Sequence, residues 1–144
     1  LNKIRRNIKN FDIMVHAAAV SDFEASNKKN RKIKSNQELH LELAPTAKIF
    51  ENIKKIKKGI FLVGFKAEHN VPEKKLIDSA YDILKKANAD LVVANDVGKK
   101  GRGFDADTNE VFIVDRNKNA RHVALMDKRM VADSLIDEIV GRIK

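Results

Sequence analysis

Two short apolar runs, Ile60 to Phe65 (IFLVGF) and Asp90 to Ala94 (DLVVA), flank a segment of helical periodicity and leave this chain few folds to choose from. A strand without polar alternation is covered on both faces, the situation of a central strand in an α/β sheet. Between the runs, Val71-Pro72-Glu73 opens a helix of about 16 residues whose Leu76, Ala80, Ile83, Leu84 and Ala87 form a buried stripe. Strand, helix, strand in this order predicts a right-handed parallel crossover. In such sheets ligands bind outside the carboxyl ends of the strands. Polar Asn95 and Asp96 at the end of the second run are therefore expected to reach the cleft.

A further strand is predicted at Phe11 to Val15, entered from a helix tail whose Leu1, Ile4 and Ile8 fall at helical spacing among cations. This strand empties into Ala17-Ala18-Ala19 and then Val20-Ser21-Asp22. Small residues after a strand allow a ligand close to the backbone, and an acid nearby can hold a hydroxyl, an amine or a metal. Lys32 follows ten residues after Asp22, within Arg31-Lys32-Ile33-Lys34. Two readings stand for this stretch: a phosphate site, or alanines packing a core beside a solvated basic surface.

Ser21 to Lys32 reads as a loop. Glu38 to Leu43 (ELHLEL) alternates with period two, predicting a strand with one face buried and His40 on the wet side. Ala44-Pro45-Thr46 then starts a helix with Thr46 as its N-cap and Ile49, Phe50, Ile53 and Ile56 along one face. The early amides at Ala47, Lys48 and Ile49 would offer an anion site. Lys54, Lys55, Lys57 and Lys58 read as a solvated last turn before Gly59 stops the helix. Gly98 to Gly103 reads as a flexible surface loop, with phosphate contact as the second reading, since its GxxGxG spacing matches neither phosphate fingerprint. Val111 to Val114 and Ala120 to Leu125 predict a β-hairpin, after which Asp127 caps a helix with an apolar stripe from Met130 to Val140.

The 144 residues suit one domain, and 43% hydrophobic with 34% charged residues describes a globular chain. No apolar run approaches the roughly 18 residues needed to cross a membrane. With no signal peptide visible and no cysteine, a cytoplasmic protein without disulfides or thiolate metal sites is expected. The start at Leu1 reads as that of a fragment. A net charge of +9 attracts polyanions of any kind. One tyrosine and no tryptophan argue against a base-stacking surface.

AAAVSDF, the lysine of KIK, ELHLELAPTAKI, GFKAE, NADLVVANDVG and GFDADTNEV occur in this order over nearly the whole chain. Together they resemble phosphopantothenoylcysteine synthetase, the second half of the bifunctional decarboxylase/synthetase of coenzyme A biosynthesis. The resemblance implies an α/β fold: a Rossmann-like, mostly parallel sheet flanked by helices, with a C-terminal β-hairpin. It implies a single synthetase domain over residues 1–144 that lacks the N-terminal strands of the family. In the implied reaction, the carboxylate of 4′-phosphopantothenate attacks the α-phosphorus of CTP, pyrophosphate leaves, and cysteine then takes the acyl group from the acyl-cytidylate. Mg2+ is the implied metal, and FMN belongs only to the decarboxylase half.

Carried over by resemblance, Lys32 and Asn95 are the catalytic candidates, with Lys32 on the triphosphate. His16, Ala17 and Ala18 supply backbone approach to the nucleotide, and Asp22 holds its polar edge or the metal. Ala47, Lys48, Ile49 and Phe50 form a second nucleotide-contacting stretch, and Phe65 packs near the cytosine. The family's paired lysines align with Ile83 and Ala87 here, so Lys85 and Lys86 are the replacement candidates. The resemblance further implies a homodimer built with the C-terminal hairpin, a decarboxylase domain in the same parent chain, and no nucleic-acid or membrane partner. The fragment alone is expected to be inactive. The alternative is a basic α/β nucleic-acid-binding module using Lys54–Lys58 and Lys99–Arg102. An NAD(P) domain is disfavoured because no GxGxxG follows a strand.

Overall fold

The computed structural model describes residues 1–27, 38–103 and 105–143. Its core is a five-stranded sheet in the order β1-β4-β5-β6-β7. These strands are β1 (Ile13–His16), β4 (Phe61–Glu68), β5 (Leu91–Asp96), β6 (Thr108–Asp115) and β7 (Ala120–Asp127). A separate two-stranded ribbon pairs β2 (Phe23–Ala25) with β3 (Leu43–Pro45). β1, β4 and β5 are mutually parallel, β6 runs against β5, and β7 against β6. All strands of the large sheet but β6 thus point the same way, the mostly parallel arrangement with a terminal hairpin expected from the motifs.

The two apolar runs behave as their composition requires. In β4 and β5, Leu62, Val92 and Ala94 face one core while Val63, Leu91 and Val93 face another, and all are buried. Helices α1 (Asn2–Asn7), α2 (Ile49–Ile56) and α3 (Glu73–Ala87) contribute to the first layer, through Ile4, Ile53, Leu76, Ala80 and Leu84 among others. Helix α4 (Lys128–Ile143) covers the opposite face with Val131, Leu135 and Ile139. α3 ends where Asn88 takes a left-handed conformation, φ 51°, which asparagine tolerates. Asp127 accepts the Arg129 amide at 2.7 Å, as expected of the residue capping α4.

Several expectations need correction. The loop expected from Ser21 onward contains β2, and its Lys28–Lys32 part lies outside the described residues. The strand expected at Glu38–Leu43 begins only at Leu43, and its apolar face is not buried: Leu39, Leu41 and Leu43 are 47%, 61% and 59% exposed. Alternation identifies side chains that share a face but does not supply a cover. The helix expected from Thr46 starts at Ile49. Thr46 instead fastens the ribbon base, its amide donating to Asp22 O at 2.9 Å and its hydroxyl to Ser21 O.

Lys54 is no part of a solvated turn. It is 9% exposed and its Nζ lies 2.7 Å from Asp90, whose carboxylate also accepts the Leu62 amide. Met130, Ile136 and Val140 of the predicted α4 stripe face solvent, because the sheet covers only one side of that helix. Among the described residues no helix is long and apolar enough to cross a membrane.

Candidate functional site

β4 runs past the end of β1, where His16 stands opposite Gly64, so Phe65 and Lys66 form a wall beyond the shorter strand. The segment leaving β1 forms the floor, and the segment from Thr46 into α2 forms the other side. A cavity of about 710 Å³ lies between them. That is a size typical of small-molecule sites.

The cavity brings together His16, Ala17, Ala18, Asp22, Ala47, Lys48, Ile49, Phe50, Phe65 and Lys86, all singled out in the sequence. Phe50 reaches the sheet because position 64 has no side chain: a Cβ there would run into its ring. The same ring lies 5.8 Å from the His16 ring, centroid to centroid, at 39°. Lys48 donates to Asp22 in an ion pair across the mouth. The Lys48 hydrogen bond and charge, with a smaller contribution from Lys66, hold the Asp22 carboxyl below its ordinary value. It is therefore ionised at neutral pH.

The structure also adds residues that the motifs did not reveal. Lys66 lines the cavity, with its Nζ 3.0 Å from Glu68. The signal was available in GFKAE, had the strand been extended past Phe65. Ile83, aligned with one of the family's paired lysines, faces the cavity, and Lys86 one helical turn later supplies a cation on the same side. Ala87, at the other such position, is buried in the core. Lys48, Lys66 and Lys86 against Asp22 and Glu51 make the walls net positive, which suits a polyanionic ligand.

Other sequence candidates fall elsewhere. Lys32 lies outside the described residues. Lys85 turns away from the cavity to Asp82 at 3.3 Å and lies over the Tyr81 ring at 4.7 Å. Asn95 does not line the cavity. Its neighbour Asp96 is buried and accepts the backbone amides of Asn70, Val71 and Gly98 at 2.8, 3.2 and 3.0 Å. The strand-end acid thus builds a turn, and the cleft expectation for Asn95 and Asp96 is corrected. Among the described residues no group of three or more histidine or acidic side chains could cage a metal. A lone carboxylate such as Asp22 fits a magnesium ion held mainly by phosphate oxygens, since Mg2+ commonly takes one or two carboxylates plus substrate phosphates.

Comparison with known proteins decides the family. The DNA/pantothenate metabolism flavoprotein C-terminal domain matches residues 1–143. The chain belongs to that family. It is 47% identical over 131 residues to the coenzyme A biosynthesis bifunctional protein CoaBC of Thermococcus kodakarensis, covering 91% of this chain and 31% of that protein. With the CoaBC of Methanocaldococcus jannaschii it shares 33% identity over 144 residues, covering 100% of this chain and 34% of that protein. The chain thus spans about a third of the length of these relatives. The crystal structure of the DNA/pantothenate metabolism flavoprotein from Streptococcus pneumoniae superimposes with a TM-score of 0.81 at 29% identity, over 98% of this chain and 68% of that one.

Proposed function

We propose that this chain is the synthetase part of a coenzyme A biosynthesis enzyme, a cytoplasmic phosphopantothenate–cysteine ligase that uses CTP. One observation carries the reading: the loop after β1, the start of α2 and the end of β4 converge on a single cavity whose cations are Lys48, Lys66 and Lys86. Family membership and the coenzyme A relatives agree with it.

In this reading the small residues Ala17 and Ala18 admit the nucleotide close to the backbone, and Phe65 lies against the base. Lys48, Lys66 and Lys86 take the triphosphate, joined by Lys32. The carboxylate of 4′-phosphopantothenate displaces pyrophosphate from the α-phosphorus of CTP, and the amine of cysteine then displaces CMP from the acyl-cytidylate. The cations stabilise charge developing on the phosphoryl oxygens, and the walls hold the reactants in line. Asp22 would hold Mg2+, which when bound neutralises triphosphate charge. The chain works within a longer protein carrying an FMN-dependent decarboxylase half, as a homodimer.

Part of each lysine-rich cluster invoked for the nucleic-acid alternative is engaged within the fold, while Lys55, Lys58, Lys99 and Lys100 stay exposed. Lys54 is committed to Asp90, Lys57 donates to Phe11 O at 2.6 Å, and Arg102 is paired with Glu110. A thermal-shift comparison of CTP, ATP and NADPH with magnesium tests the proposal. CTP should give the largest stabilisation, and Lys32→Glu should remove it without unfolding the domain. Equal shifts for all three nucleotides, or a DNA complex that survives physiological salt, would overturn the reading.

A further inference from the structure

The acids and lysines that line the cavity are Asp22, Lys48, Glu51, Lys66 and Lys86. Most of them are engaged: Lys48 pairs with Asp22, and Lys66 Nζ lies 3.0 Å from Glu68. Glu51 is the acid without a partner on the cavity wall among the described residues. Its own helix offers three lysines at ion-pairing spacing, Lys48 three residues before it and Lys54 and Lys55 three and four residues after. All three are turned elsewhere. Lys48 donates to Asp22, Lys54 lies 2.7 Å from Asp90, and Lys55 reaches Asn52 at 3.4 Å. The helix dipole favours an acid in the first turn of α2, but it does not require that acid to face a cavity.

A bare carboxylate on this wall repels a triphosphate and suits a ligand that brings a compact cation. Of the reactants in the preceding reading, CTP and 4′-phosphopantothenate are anions. The metal is met by Asp22 in that reading. The amino acid alone brings an organic cation, its α-ammonium group. We infer that Glu51 binds the ammonium group of the amino-acid substrate before its nitrogen takes the acyl group. The inference rests on the ligase reading and deepens it, by giving a cavity dominated by lysines one acidic subsite.

The fold fixes where that subsite stands. Phe50, the residue before Glu51, packs its ring into the space above Gly64 and lies 5.8 Å from the His16 ring, which anchors the first turn of α2 to the sheet. Glu51 therefore lines the α2 side of the cavity, while Phe65 and Lys66 line the β4 side. Nucleotide and amino acid can share one space from two walls, and a fixed acid holds the attacking amine in position. An uncharged nucleophile gains nothing from Glu51.

The parent protein that carries this chain provides the test. Acyl-cytidylate formation is read without cysteine, as exchange of labelled pyrophosphate into CTP in the presence of 4′-phosphopantothenate. Amide formation is read with cysteine, and the acyl-cytidylate is also intercepted with hydroxylamine, which is uncharged at neutral pH. Glu51→Gln keeps the shape and removes the charge, so it should raise the KM for cysteine by about 10- to 100-fold. The loss should sit in KM rather than in kcat, with exchange and hydroxamate formation kept. Glu51→Asp, with the charge on a shorter stem, should fall between the two. An unchanged KM for cysteine in Glu51→Gln would overturn the inference while leaving the ligase reading standing. Equal losses with cysteine and hydroxylamine would overturn it too, because Glu51 would then only shape the cavity. Loss of the magnesium-dependent part of the CTP thermal shift in Glu51→Gln would assign the acid to the metal instead. Absence of any exchange in the unaltered protein would overturn the ligase reading, and this inference with it.

Discussion

Lys48 donates to Asp22 across the mouth of the cavity, joining the entrance of α2 to the segment that leaves β1. Both side chains are more than half exposed, so the pair contributes little to stability; its interest is what it occupies. Under the proposed function, a metal–nucleotide complex bound at Asp22 would displace Lys48, leaving it to meet a phosphate. Asp22→Asn should therefore abolish the part of the CTP thermal shift that depends on magnesium and leave the part measured in chelator. Lys48→Met should weaken CTP about tenfold, or ~1.4 kcal/mol, with and without metal. Titrations of CTP followed by melting temperature, with magnesium and with chelator, check both.

The ring of Phe50 fills the space that a side chain at Gly64 would need. Gly64→Ala should cost about 1–3 kcal/mol, because neither the central strand nor the helix can withdraw without opening the core. Phe50→Leu in the same chain should recover part of that loss, and the two changes should be non-additive in a urea-denaturation cycle. Additive effects would show that the contact does not govern the position.

How much of this was legible follows from what each residue contacts. IFLVGF and DLVVA announce buried strands because they are covered on both sides, and composition alone reports that. Pro72 marks the start of α3 through its own backbone preference, whereas the left-handed Asn88 that ends it emerges only in the structure. Lys54 could not be read from its neighbours: it lies in a run of lysines, and its partner Asp90 comes from a distant strand entrance. Leu39 and Leu41 show correct alternation in a segment that the rest of the chain leaves uncovered. In the cavity, His16 to Asp22 and Ala47 to Phe50 stood out as local patterns. Lys66 did not, because its place depends on how far β4 outruns β1. Asp96 looked like a ligand at a strand end until its three backbone donors were visible.

Asp90 gathers the amino ends of two strands. Its carboxylate accepts the Leu62 amide at 2.7 Å and meets Lys54 at 2.7 Å and Arg116 at 2.9 Å. Removing the acid leaves a nearly buried ammonium and a backbone amide without their acceptor, so Asp90→Ala should cost about 3–5 kcal/mol. Lys54→Met should cost less, about 1 kcal/mol, since Arg116 still compensates the carboxylate and the methionine fills the volume. Equilibrium urea denaturation of the two variants checks the ordering. Equal losses would mean that the contact of Lys54 with Asp90 outweighs the other two.

Asp96 and Asp115, the two buried carboxylates among the described residues, contribute to the behaviour in acid alongside the lowered Asp22, Glu68, Asp78 and Glu138. Burial pushes both carboxyls upward, but donors outweigh it: three backbone amides at Asp96, and Asn119, Asn117 and Arg142 around Asp115. Both are thereby held below the ordinary value of 3.8. A carboxyl depressed in the folded state stabilises fully above its unfolded value, and that contribution is lost as pH falls through the folded one. Stability should thus be insensitive to these two groups at neutral pH and decline below about pH 4. Asp96→Asn keeps an acceptor oxygen but not the charge, so it should lower stability at pH 7 by about 1–2 kcal/mol. It should also flatten the acid limb of the stability curve. Urea midpoints measured from pH 7 to pH 3 distinguish this from simple loss of packing: a packing defect would displace the curve at every pH and leave its acid slope unchanged.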